Sequence, residues 1–525
     1  MDRLRWAALA VALSIVPSFH LSAQALTPRD SALHALNRLA YGPRPGEVDS
    51  VARVGVMRWI EQQLAFERVP DVLLAQRERD FKLLDYDREE LAQRYGEALR
   101  QRREMQREVA QSGDTTRPRG AGGGPMREFR ELGGELQQLA VVRAVLSERQ
   151  LREVMVDFWA NHFNVFVGKG ADRFLTPSYI EETIRPNALG RFEDLLIATA
   201  MSPAMLFYLD NAQSVAPGSS PPFPLSRRRG GQGVRTGINE NYARELLELH
   251  TLGVDGGYTQ QDIIAVARIF TGWSIDRPQR GAGFAFHAWA HDRSEKQVFG
   301  VRFQGGMEEG VRLLKLLAAQ HATMHHVSRK LCARFVSDDP PDGCVDAAVD
   351  AWHRSNGDIR AVLRAIFTSP DFWAPQALRA KVKTPLEFVV SAVRAAGAAP
   401  DSTLRLAQVV SRLGQPLYLQ PAPTGYPETQ AQWVNSGALL GRMNAAVALA
   451  AGRLPGASVN LDDVVPATDD HAALVDAVNA RLLSGTMSAH TRAVILEQLA
   501  DVNDPAQART LAVGLALGGP EFQRQ

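Results

Sequence analysis

LREVMVDFWANHFNVF, residues 151–166, carries its large apolar side chains three and four positions apart. Wound as an α-helix, it places Met155, Phe158, Trp159, His162 and Phe166 on one face. An imidazole on such a stripe has an ordinary explanation, a core histidine with satisfied nitrogens. It also has a functional one: a partly buried base or ligand beside Trp159 and Asn161, its pKa shifted by burial.

The same period recurs on both sides. Leu33, Leu36 and Leu39, then Val54, Met57, Ile60 and Leu64, repeat at helical spacing around the breakers Tyr41-Gly42-Pro43 and Pro45-Gly46. Residues 77–111 are dense in charges of both signs, as an exposed helix is, and 127–148 resume a helical pattern. Further helices are predicted over 179–200, over 239–252 closed by Gly253, and over 259–272, where Thr259 caps and Asp262 sits in the first turn. More follow at 323–336, 359–368, 385–396, 434–452 and 472–483. Only 282–301 looks like β-structure: Phe284 and Phe286, then Val298, Phe299 and Val301, suggest two short strands around a polar loop. SGDTTRPRGAGGGP at 112–125 and a Pro-, Gly-, Ser- and Arg-rich stretch at 214–237 read as disordered segments. The expected fold is therefore mainly α: one large helical domain over 26–525, with one small β-hairpin-like insertion and two disordered loops.

Residues 1–25 read as a cleavable secretory signal peptide. A weakly basic start precedes an apolar run from Ala7 to Phe19, and Ala23-Gln24-Ala25 supplies small residues for cleavage, after Ala25 or else Ala23. The run is shorter than the roughly 20 residues needed to cross a bilayer, and Pro17 disturbs it. The expected location is periplasmic or secreted, with no transmembrane anchor in the mature chain. Charge is balanced, 59 Lys+Arg against 58 Asp+Glu. That argues against a nucleic-acid partner, and Arg227-Arg228-Arg229 reads as a solvated loop. The two cysteines, Cys332 and Cys344, flank a turn-rich segment; an oxidising compartment favours pairing them, a short ring contributing about 3 kcal/mol.

Four constellations could carry chemistry. The first is His162 with Trp159 and Asn161. The second is Glu240 to His250, where Glu240, Arg244 and Glu248 have the i,i+4 spacing of an ion-pair ladder, while Asn241, Glu245 and Glu248 could line a polar stripe facing a cleft. The third is His287 with His291 and Asp292, which lacks the diagnostic zinc spacing, so metal and cofactor stay unknown. The fourth is the Pro423–Glu428 turn, where Tyr426 precedes Trp433, Asn435 and Arg442 as structural pins or ligand contacts. Neither G-x-S-x-G nor H-E-x-x-H is present.

HALNRLAYGPRPGEV, LREVMVDFWANHFNVF, NENYARELLELHTLGVDGGYTQQDI, RKLCARFVSDDPP, KVKTPLEFVVSA and PTGYPETQAQWVNSGALLGRMN together resemble the bacterial exported family DUF1800, over about residues 30–450. The resemblance brings no established activity. It implies an exported protein, often encoded beside a secreted family with sulfatase-like resemblance, which makes a co-exported sulfatase-like protein the expected partner. His291-Asp292 with Lys296 and Gly300 resembles the family's histidine–aspartate segment. Two functions stay open: an exported enzyme whose cleft gathers His162, Glu245 and His291-Asp292, or a non-catalytic envelope scaffold.

Overall fold

The structure, a computed structural model, describes residues 26–112, 126–219, 237–276 and 282–525. The expected signal peptide lies outside the described residues, as does the expected disordered stretch at 112–125 apart from Ser112, which ends a helix. So does most of 214–237. Its first residues are nonetheless tied down: Val215 N–H donates to Gly237 O at 3.1 Å and Ala216 N–H to Ala290 O at 2.8 Å.

Helices build the body, as their apolar period requires. Helix α1 (Pro28–Leu39) starts where Pro28 pre-sets the first turn and Thr27 Oγ accepts the Asp30 N–H. The charged helix α2 (Arg88–Ser112) packs only its first turns; residues 101–108 are exposed. Helix α3 (Arg127–Leu146) leads to α4 (Gln150–His162), the predicted central helix, which buries Leu151, Val154, Met155, Phe158 and Trp159 almost completely. Each such side chain contributes roughly 1.5–3 kcal/mol by leaving water. Helix α5 (Glu240–Glu245) runs on as a π-helical turn, Leu246–Thr251, in which Thr251 Oγ donates to Leu246 O at 2.6 Å. The expected cap on α6 (Gln260–Ile269) forms in full: Thr259 and Asp262 make a reciprocal capping box.

Cys332 on α7 (His321–Phe335) and Cys344 on α8 (Asp342–Ser355) form the expected disulfide, with Cα atoms 6.3 Å apart. Helix α9 (Pro385–Ala395) opens on a second capping box, Thr384 with Glu387. Helix α10 (Ser436–Ala450) lies against α11 (Pro505–Gly518), and Gly514 and Gly518 permit the close approach, since a Cβ there would press on Val447 and Met443.

The β-structure departs from its expected pairing. Phe284–Phe286 (β2) pairs back with Trp273–Ile275 (β1), whereas Lys296–Val298 (β3) pairs with Val301–Phe303 (β4) around Phe299-Gly300, both at positive φ. The single insertion is thus two hairpins, because Trp273 lies opposite Phe286 and buries its indole completely. A two-residue pair, β5 (Ala399–Pro400) with β6 (Ala457–Ser458), joins distant loops. Among the described residues no helix is long and apolar enough to cross a membrane.

One further contact sets up both cavities described below. Lys381 and Lys383 donate their N–H groups to Gln525 O and Gln523 O at 3.2 and 2.9 Å, and Gln525 returns one to Lys381 O at 2.9 Å. Of this extended segment, Lys381 lines one cavity and Lys383 the other.

Candidate functional site

Helix α4 has two chemically different faces. On one, His162 is 2% exposed, and its Nε2 lies 3.2 Å from His250 O while its Nδ1 lies 3.1 Å from Lys330 Nζ. The carbonyl can only accept, so Nε2 carries the proton and Nδ1 accepts from Lys330. Burial, then the Lys330 charge, holds the imidazole well below its usual pKa. Burial likewise brings His250 down to about 3 and His326 to about 4. Trp159 and Phe163 pack on the ring at 5.5 and 4.6 Å, and the Trp159 indole donates to Ala188 O. This is a neutral aromatic pack.

The other expected residues have separate surroundings. His291 Nδ1 lies 2.8 Å from Thr271 O and its Nε2 2.8 Å from Glu309 Oε1, which also meets Lys296. Asp292 bonds Arg268 at 2.7 Å; against the cost of burial, Arg268 and Ser294 hold its carboxyl at about 2. His287 stacks loosely on Trp289, and among the described residues no three His, Cys, Asp or Glu side chains are arranged to hold a metal ion. Glu245 is half-buried and pushed up, by burial first and then by Glu248. Only half of the expected ladder forms: Arg244 reaches Glu240 and Gln260, while the π turn carries Glu248 out of i,i+4 register. Asn241 reaches Leu209 O with its side chain at 3.4 Å. Asn435 caps α10 through Ala438 N–H. Arg442, fully buried, donates to Gln523 Oε1 at 3.3 Å.

The second face of α4 looks into a cleft. Asp157 and Asn161, one turn apart, line it together with Arg334 of α7, Lys381 and Glu387 at the start of α9, and Tyr418, Tyr426 and Glu428 from the loops before α10. Two expected ligand contacts, Asn161 and Tyr426, therefore meet here. Asn161 Nδ2 donates to Tyr426 O at 2.8 Å and to Glu428 Oε1 at 3.3 Å, and its Oδ1 accepts the Tyr426 N–H at 2.6 Å. Gly425, at φ +70°, permits this approach, because a Cβ would collide with the Asn161 oxygens. Lys381 Nζ donates to Asp338 Oδ1 at 2.6 Å and to Glu428 O at 3.0 Å, and Trp433 Nε1 donates to Pro427 O. The loop is pinned before any ligand arrives.

Inside, Arg334 and Glu387 form a buried ion pair at 2.5 Å. Asp157 has no hydrogen bond to its carboxyl among the described residues. Burial drives its pKa up to about 7; Arg334 opposes this, and Glu428 and Glu387 add to it. A carboxyl half-ionised near neutrality can both accept and donate a proton. The cavity is about 40 Å³, room for about three waters or a small polar group at roughly 10–15 Å³ each.

Arg334, Lys381, Glu387 and Tyr418 escaped the reading of the sequence, which followed the imidazole of α4; Asp157 and Glu428 lay inside the segments singled out but were given no role. One signal was available: Asp157 and Asn161 share an i,i+4 polar face on an otherwise apolar helix.

A family model described as "Protein of unknown function (DUF1800)" matches residues 34–524. Comparison with the curated proteins and with the solved structures finds no match.

Proposed function

The chain belongs to the DUF1800 family, and on that premise we propose that it is an exported enzyme carrying out acid–base chemistry on a small polar substrate in the Asp157 cleft. One observation carries the reading: an unbonded carboxyl faces a pinned polar cavity with a pKa of about 7, beside a buried cation. Asp157 is the proton donor and acceptor, the Arg334 guanidinium offers positive charge to a developing anion, and Asn161 and Glu428 orient the bound group. His162, Glu245 and His291-Asp292 stand outside this role, with His162 supporting α4 from behind.

The experiment is a pH titration of the protein labelled with ¹³C at aspartate carboxyls, beside a panel of chromogenic esters, phosphoesters and glycosides. Asp157 should titrate near 7, and any activity found should vanish in Asp157→Asn. A titration near 4, or full activity in the variant, overturns the proposal.

A second reading, an envelope scaffold docked to a co-exported sulfatase-like protein, draws on the exposed outer part of α2, residues 101–108. Deleting that part should abolish co-purification of such a partner and leave the cleft chemistry intact.

A further inference from the structure

Lys381 and Lys383, two positions apart on one extended segment, line different cavities and meet opposite fates. The Lys381 ammonium is held by Asp338 and Glu428. The Lys383 ammonium has no hydrogen bond among the described residues; it is 3% exposed and sits 3.8 Å above the ring of Phe522. A lysine used only to fill space there would be a poor choice, because a buried cation without an acceptor is costly whereas an apolar side chain is not.

What Lys383 faces is a cavity of about 250 Å³ between α1 and the C-terminal segment, with Leu33, Leu378, Leu482, Leu483 and Phe522 in its walls. That is somewhat smaller than the roughly 300–1,000 Å³ of drug-sized pockets, and it combines apolar walls with few polar groups. The two acids at the wall already have donors. Asp30 bonds Thr27, and Glu521 accepts from Ser488 N–H and Thr491 Oγ at 3.1 and 2.8 Å. Among the remaining lining side chains the charged ones are Arg379 and Arg524, His34 being neutral with its pKa lowered to about 3 by burial, and fully buried Arg442 stands nearby with its Nε and Nη2 unpartnered. The neighbouring carboxylate of Glu387 is already engaged by Arg334 and the Thr384 N–H.

We propose that this cavity is a binding site for a short-chain aliphatic carboxylate, its alkyl chain against the leucines and Phe522, its carboxylate accepting from Lys383 Nζ with Arg379 at the rim. Positive donors and apolar walls around one cavity fit that amphipathic anion better than a neutral lipid or a cation. Burial lowers the Lys383 pKa to about 7, with Glu387 pulling it up and Arg442 and Arg379 pushing it down. A bound carboxylate raises it again, so above pH 7 binding draws a proton from solvent.

The test is isothermal titration of the full chain with sodium hexanoate at pH 8, in buffers of different ionisation enthalpy, with hexan-1-ol as the uncharged control. One site should bind hexanoate with net proton uptake, and binding should weaken by about tenfold or more in Lys383→Met, the loss of a charge-assisted hydrogen bond. If Lys383→Met does not fold, Leu482→Trp, which fills the cavity and keeps the lysine, should remove binding. No binding to the folded chain, hexanol binding as tightly as hexanoate, no proton uptake, or unchanged affinity in both variants would overturn the proposal.

Discussion

The two faces of α4 place a buried histidine and a partly buried carboxyl in surroundings of opposite purpose. On the His162 face both nitrogens of that ring are consumed: it donates to His250 O, accepts from Lys330, and is walled by Trp159 and Phe163. On the Asp157 face the neighbours Asn161, Arg334, Glu387 and Glu428 are fixed to one another, while the carboxyl they surround is left without a hydrogen bond. A saturated buried group holds the fold together. An unsaturated one keeps its bonding capacity for something else.

The largest effect that could break this contrast is Asp157→Asn, which should lower activity on any identified substrate by roughly 10²–10⁴-fold, the range of a lost general acid or base. His162→Gln should leave kcat within a few-fold and reduce stability instead. Equal kinetic losses in both variants would erase the distinction. Next in size, Arg334→Met leaves Glu387 buried without its cation and should cost roughly 3–5 kcal/mol in denaturant unfolding. A change below ~1 kcal/mol would mean that water reaches the pair.

The faces should also respond to pH in opposite senses. The folded pKa of Asp157 is raised, from 3.8 to about 7, so the stability linked to it is complete below about pH 4 and falls as pH rises through 7. Thermal unfolding of Asp157→Asn should therefore match the parent at pH 4 and exceed it by a few °C at pH 8, about 2–4 °C for each kcal/mol in a large domain. The folded pKa values of His162, His250 and His326 are lowered, so their contribution is complete above about 6.5 and lost on acidification below it. A stability difference between parent and Asp157→Asn that stays flat from pH 4 to 8 would contradict the first assignment, and one between parent and His162→Gln that stays flat would contradict the second. The smallest effect belongs to Tyr426→Phe, which removes one hydroxyl bond to Pro416 O at 2.8 Å and should cost about 1 kcal/mol.

Much of the helical frame was legible because a period of 3.6 is a local property. Thr259 with Asp262 and the apolar stripe of α4 could be placed from their own neighbours. The hairpins were not, since the choice of Trp273 over Val298 as the partner for Phe286 depends on how an indole packs beneath the sheet. The cleft shows the same division. The motifs that build it, around 151–166, 329–341, 381–392 and 423–444, stand out in the sequence. Periodicity nevertheless tells which residues share a face and nothing of what that face meets. His162 drew notice through its chemical versatility, and Asp157 acquires meaning only once Arg334, Glu387 and Glu428 arrive from three distant segments.

The pairing of Lys381–Lys383 with Gln523–Gln525 has a kinetic consequence. It joins segments far apart along the chain, so it closes a long loop and must wait for most other contacts to reward that closure. Through much of folding, both lysines are then hydrated and ionised on an unpaired strand. The cleft and the apolar cavity share that strand as a common wall, so they should mature together, in one late step, after the helices they depend on have assembled.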